Sequence, residues 1–451
     1  MLGGKMLIED IMQRISNAEV RWINLNFPDL RGTLKRKVFR AQKMTTNHFA
    51  KGIEAEEVNI AFNEIYEEQL SLLPLPSTYA KLPWADAVDR VICTIKKGKE
   101  RYLKDPIYTL ERALNLDPIG EKIAIKQNVS FLITDGTSIS KEEGRRSVDI
   151  PSKEADWNPL ALRAKDSNAL ASDPHDVYSA VRQQISDVMS DYFNYVVLSH
   201  CHGSYASSQI LSFDELKAID AAHCLATLRM AAKAVAIANI SLASFMPLPF
   251  NEAPADYELS FSAFEKGDNI FYDENDAHKI SQIGRYFIGG ILEHIDAITF
   301  FTNATINSYK RLNAYKKFSS VGIKDKFNAI MIKDAELFNI KLTFPDAALN
   351  PYLGLAAIIS AGIDGIKKKK EPIIAEESPI IMSEQQRKKA QIKELPLSFK
   401  ESLEAIQSDN EFLKGVLSTE LAYTYTEMRV QEYKEYKQKS SDNDYFYYFH
   451  L

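Results

Sequence analysis

Ile340-Lys-Leu-Thr-Phe-Pro-Asp-Ala-Ala-Leu-Asn-Pro-Tyr352 decides the architecture, because within thirteen residues the pattern changes from a strand to a helix. Ile340 to Phe344 reads as a short strand. The pattern over Leu349 to Lys369 reads as a long helix that begins near Pro351. Lys367 to Lys370 complement the dipole at that helix's C-terminus, which makes them a solvated helix end rather than a nucleic-acid patch. Further long helical patterns cover Val177 to Phe193, Leu211 to Ile240 and His278 to Thr299, and Ala329 to Ile332 is another strand-like run. Helices and strands mixed in one large unit imply a mixed sheet covered by helices, an α+β fold.

That unit begins near Asp105-Pro106, with a helix over Ile107 to Leu116 and a strand over Lys122 to Thr134. Ahead of it lies a smaller, strand-rich unit. Ile8 to Ala18 is helical, Val20 to Phe27 and Thr33 to Arg40 are strands around a turn at Pro28 to Gly32, and Arg90 to Ile95 is a further strand. Ile373 to Glu394 is polar and reads as an exposed loop with a short helix. The division is residues 15–100 and 105–451.

With 45% hydrophobic and 26% charged residues, the 451-residue chain has the makeup of a folded protein rather than a disordered one. The net charge of -6 is mild and the basic residues are interleaved with acids, so no nucleic-acid partner is expected. Cys93, Cys201 and Cys224 form no CxxC pair and no disulfide framework, which fits a reducing cytoplasm. Met1 to Arg14 lacks the apolar core of a signal peptide, and no run reaches the roughly 18 apolar residues of a spanning segment, so no membrane partner is expected.

Several separated segments, in order, resemble the glutamine synthetase family. Phe27-Pro-Asp-Leu-Arg-Gly32 is similar to its F-T-D-x-x-G turn, Leu73 to Thr78 to M-P-D-P-S-T, and Lys104-Asp-Pro106 to R-D-P. Phe245-Met-Pro-Leu-Pro249 resembles F-M-P-K-P, and Asn307-Ser-Tyr-Lys-Arg-Leu312 matches N-S-Y-K-R-L residue for residue. Phe344 to Tyr352 resembles F-P-D-P-A-A-N-P-Y, and Leu395 to Ile406 the family's late L-P-x-S-L-x-E-A-L helix. The resemblance implies a β-grasp domain over 15–100 and a catalytic-type domain over 105–451. It also implies an active site that forms between neighbouring subunits of a double ring.

The family's chemistry phosphorylates a carboxylate with ATP, which needs divalent cations held by hard oxygen ligands. Carried over by neighbouring residues, its Glu-x-Glu strand falls on Asn128 and Ser130, and two further glutamates on His202 and Ile210. Its H-C-H segment falls on Glu258 to Ser260, and the acid of E-V-R on Lys341. Two arginines fall on Lys326 and Met331, a flap glutamate on Lys316 or Lys317, and a modified tyrosine on Lys393. An ammonium at Lys341 would repel a metal ion and supply part of its charge. The resemblance therefore implies a member without the metal-binding and catalytic acids, inactive as a ligase, with no cofactor expected and a binding, regulatory or structural role.

Arg311 has two readings: the arginine that in the family clamps the glutamate α-carboxylate, or the partner of a structural acid. His200 and His202 point to one face of a strand and are either zinc ligands, with His223 as the third candidate, or ordinary hydrogen-bonded residues. The competing functional reading is an ATP-dependent glutamate–ammonia or γ-glutamyl-amine ligase with relocated ligands, which would need Mg²⁺ and ATP. Expected partners are further copies in a ring, hexamer or dodecamer, or an active synthetase subunit. The aromatic Asp444 to Leu451 tail is expected to anchor a neighbour.

Overall fold

The computed structural model describes residues 7–55, 57–60, 69–142, 145–155, 158, 169–250, 254–333, 338–438 and 444–451. The first sheet holds β1 (Trp22–Pro28), β2 (Leu34–Arg40), β3 (Ile53–Glu54), β4 (Leu70–Pro74), β5 (Ala80–Lys81), β6 (Val88–Lys97) and β7 (Glu100–Arg101). Its order is β2-β1-β6-β4-β3, with β5 and β7 on β6. β1 and β6 are parallel at its centre and the remaining pairs are antiparallel, the arrangement of a β-grasp.

The second sheet is built around β8 (Ile123–Thr134), after which β9 (Ser138–Glu142) and β10 (Arg145–Asp149) make a separate hairpin. It continues with β11 (Val197–His202), β12 (Ser208–Phe213), β13 (Leu216–Lys217), β14 (Leu242–Ser244), β15 (Tyr257–Glu265) and β16 (Asp268–Asn269). β17 (Phe318–Ile323), β18 (Asn328–Ile332) and β19 (Ile340–Leu342) complete it, in the order β11-β12-β8-β15-β19-β18-β17. Along β8 the period of two separates the faces. Ile123, Ile125, Gln127, Val129 and Phe131 are buried, whereas Ala124, Lys126, Asn128 and Ser130 are half-buried. The buried face packs under the helix Ala218–Ala238, to whose Ala221 carbonyl Gln127 donates at 3.2 Å.

Some sequence expectations change here. Leu211 to Phe213 belong to β12, paired with β8, so the helix starts only at Ala218. His278 to Thr299 is two helices, Gln282–Glu293 and Ile295–Thr302, broken at His294. Ala218–Ala238 is long and apolar enough to cross a membrane, contrary to the count of apolar runs, but 72% of its most apolar window is buried inside the fold, as in a core helix. The aromatic tail packs on its own chain. Leu451 O accepts from Phe245 N at 2.8 Å, Tyr445 Oη donates to Pro249 O at 2.6 Å, and Tyr448 and Phe449 pack on Met246.

At the break, His294 lies between two acids, with Nε2 2.9 Å from Asp364 and Nδ1 2.8 Å from Asp409, and it stacks on Phe412. Two carboxylates facing both ring nitrogens require both to carry protons. Burial disfavours this imidazolium, but the hydrogen bonds it donates to Asp409 and Asp364 outweigh burial and hold the pKa above the ordinary 6.5. A folded pKa raised above the unfolded one contributes stability in full below 6.5, lost as the pH rises through the folded value. Denaturant midpoints of the protein should therefore fall over that window. His294→Gln should flatten this part of the profile, and an unchanged slope in the variant would count against the assignment.

Candidate functional site

The half-buried face of the second sheet gathers most of the residues singled out by sequence. Asn128 pairs with Ser212 on one side and Glu258 on the other, and Ser130 pairs with Ile210. Lys341 pairs with Ser260 and Met331, and Ile210 with Cys201. Paired residues project to the same face and alternate residues share it, so Asn128, Ser130, Ile210, Glu258 and Lys341 share one surface. At its centre the Asn128 amide donates to Glu258 Oε2 at 3.0 Å, and the Lys341 ammonium donates to the same oxygen. Lys341 is only 5% exposed. Burial pushes the Glu258 carboxyl up, but the adjacent ammonium more than reverses this and holds it below the usual carboxylate range. Burial lowers the Lys341 ammonium against the pull of Glu258.

Asp256, Arg311 and Lys317 extend the face. Arg311 is fully buried, with Nη1 donating to Asp256 at 2.8 Å and Nη2 to the carbonyls of Phe344 and Pro345, and with Nε 3.8 Å from Asp346. The side of Asp256 remains half-exposed. Among the two lysines left open by sequence, Lys316 pairs with Glu394 at 3.0 Å. Lys317 instead turns inward, donates to Lys326 O at 2.6 Å and lies within the fields of Asp256, Glu258 and Arg311. Burial pushes its ammonium down to about 8, against the pull of Asp256.

His202 does not join this surface. It pairs with Gln209, one residue out of phase with Ile210, and so faces the opposite, buried side. There its Nε2 lies 2.9 Å from Glu154 Oε2 and its Nδ1 2.6 Å from Gly203 O. A carbonyl only accepts, so Nδ1 carries a proton, and the proton shared with Glu154 raises the imidazole pKa against the lowering by burial. His200 accepts from Arg182 Nε at 3.1 Å, and His223 bonds Tyr352 Oη at 2.9 Å, so the three histidines have separate partners. Glu154, Asp176 and His202 do stand within 4.8 Å of one another, but Asp176 is engaged by both Nη atoms of Arg182, at 2.9 and 2.5 Å.

Sequence reasoning placed Glu258 at a lost histidine and gave Asp256 no role. The alternation of β15 was the available signal for Glu258; Asp256 lies just ahead of that strand and had none. Divalent cations need several hard oxygen ligands converging on one point. Here the central carboxylate oxygen already holds an ammonium and an amide, and its neighbours are Ser130 and the apolar Ile210. Among the described residues, the two groups of three potential metal ligands lie elsewhere, at Glu154–Asp176–His202 and Glu293–His294–Asp364. The residues on this face do not fit a magnesium–ATP site.

The backbone that carries them is nevertheless a known one. Residues 104–448 match the model of the glutamine synthetase catalytic domain. The chain is 30% identical over 456 residues to a glutamine synthetase of Sulfolobus acidocaldarius, covering 94% of each, and 30% identical to that of Pyrococcus furiosus over 87% of this chain and 86% of that one. A glutamine synthetase structure from Plasmodium falciparum, 22% identical, superposes over all of both chains with a TM-score of 0.86. Sheet order, sequence segments and these likenesses agree, and the chain belongs to the glutamine synthetase family.

Proposed function

We propose that the protein is a non-catalytic member of its family, with a binding, regulatory or structural role. The observation that supports this most directly is the Lys341 ammonium on Glu258 Oε2, a cation supplied by the chain on the face where the family resemblance puts a metal. Asn128, Ser130 and Ile210 around it supply no further charge to hold an ion. With glutamate, ATP, ammonia and Mg²⁺ or Mn²⁺, phosphate release by the purified protein is expected to stay at background, and so is γ-glutamyl transfer to hydroxylamine. Metal-dependent turnover of even about 1 per second would show that the ligase reading, with ligands relocated, is the right one.

A retained β-grasp with no chemistry to complete supports assembly as the reason for keeping it, and head-to-tail contacts between unlike surfaces close into rings. Exposed Trp22 and Val38 on the first sheet, 41% and 48% accessible, suit such a contact. Light scattering at micromolar concentration should give a hexamer or dodecamer. A monomer would refute the ring.

A further inference from the structure

Away from the Glu258–Lys341 face, a cavity of about 250 Å³ lies between the β1–β2 turn, the helix Thr419–Gln438 and the aromatic tail. Leu30, Ala304, Ala348, Tyr425, Met428 and Tyr447 give it apolar and aromatic walls. Its polar end holds Arg429, which is 4% exposed. Nη1 of Arg429 donates to Glu432 Oε2 at 2.9 Å, and the guanidinium carbon stands 5.6 Å from the centre of the Phe399 ring. Nε is buried and has no acceptor among the described residues. A buried donor without an acceptor is disfavoured, more so on a charged group, and this one belongs to a side chain that borders an open space. Glu432 has no oxygen to spare for it: Oε2 holds Nη1 and Oε1 accepts from Tyr448 Oη at 2.9 Å. Arg31, 40% exposed at the rim, stands 3.9 Å from the same Oε2, so two guanidinium groups face one carboxylate. Glu435, the other acidic side chain of the lining, is exposed and accepts from Gln431 at 2.9 Å.

We infer that this cavity binds a small carboxylate with an aromatic or apolar body, the carboxylate accepting from Arg429 Nε and the body lying against Met428, Tyr425 and Tyr447. A planar guanidinium matches a carboxylate, and the bond from Nη1 to Glu432 already fixes its orientation, so little side-chain freedom is lost on binding. Two rings and a thioether are walls that suit a flat apolar group. The volume is below that of sites for drug-sized molecules, which limits the ligand to about ten non-hydrogen atoms. Such a molecule would touch the turn of the first sheet, the helix Thr419–Gln438 and the tail together, and so tie the two units of the chain to one another. None of Asn128, Ser130, Ile210, Glu258 and Lys341 lines the cavity, so the inference holds whether or not the protein is a ligase.

The test titrates the full-length protein with phenylacetate, followed by ligand-observed NMR, with phenylacetamide as the uncharged probe of the same shape. Phenylacetate should bind with a Kd of about 1 mM or tighter, the range open to a molecule of this size. Phenylacetamide should bind about tenfold more weakly, because its oxygen carries no charge to meet the guanidinium. Arg429→Lys keeps a cation beside Glu432 but removes Nε, and should weaken phenylacetate about tenfold. Met428→Trp, at a half-buried wall position where a larger side chain fills the space without cutting the Arg429–Glu432 pair, should abolish binding even if Arg429→Lys does not fold. Melting curves of both variants confirm which of them are folded. No saturable binding of phenylacetate at about ten times the expected Kd would overturn the inference, as would equal binding of phenylacetamide or unchanged binding to folded Met428→Trp. None of these outcomes bears on the ligase assay, so the two readings fail separately.

Discussion

Lys341→Glu should destabilise the protein by about 3–5 kcal/mol at neutral pH, more than any surface charge reversal, because it replaces a buried ion pair by two buried carboxylates. Lys341 is 5% exposed and Glu258 31%, so solvent cannot screen the new repulsion fully. The loss should shrink as the pH falls through the carboxylate range, where one of the two acids takes up a proton. Adding Asn128→Glu and Ser130→Glu would assemble four carboxylates on the same face. That variant should melt lower still without metal and recover on addition of Mg²⁺ or Mn²⁺, since an ion that binds only the folded state stabilises it by mass action. The unmodified protein should show no such recovery. If millimolar Mg²⁺ alone stabilises it by several degrees, reversibly with EDTA, ligands elsewhere in the chain have replaced the lost ones.

The choice of these positions depends on register, and register is where sequence and structure part. Alternation along Lys122 to Thr134 made Asn128 and Ser130 face-sharing neighbours from sequence alone, and Lys341 stood out as a cation at an acid's place. His202 was assigned by the likeness of His200-Cys201-His202 to a family motif, which says nothing about phase. Side chains on a strand repeat every two residues, so an offset of one moves a residue to the other side of the sheet. The pairing of Cys201 with Ile210 makes Cys201, not His202, the strand's contribution to the site face. Arg311 was undecidable for a different reason: its partners, Asp256 and the carbonyls of 344 and 345, are distant in sequence. The helix from Pro351 and the turn at Pro28 to Gly32 were legible because caps and glycines act locally.

That turn supports the second large effect, Asn350→Ala, expected to cost about 2–5 kcal/mol. Asn350 is fully buried and uses both ends of its amide. Oδ1 caps the helix Pro351–Lys368 by accepting from the backbone of Tyr352 at 3.0 Å and Leu353 at 3.3 Å. Nδ2 donates to the carbonyls of Asp29 and Leu30, each at 3.1 Å, and so ties the β1–β2 turn to the helix. Gly32 lets the chain approach this closely: its φ is +78°, and a Cβ there would meet Asn350 Cα at 2.7 Å. Alanine at 350 loses a cap, about 1–2 kcal/mol, and strands buried carbonyls at about 1–3 kcal/mol more. Asn350→Asp separates the two parts. It keeps an acceptor for the helix N-terminus but sets a carboxylate oxygen against two carbonyls, so at neutral pH it should be no better than alanine and should regain stability on acidification as the carboxyl gains a donor proton. Chemical denaturation of both variants across pH measures this, and a loss below about 1 kcal/mol in Asn350→Ala would show that the turn is held by other contacts.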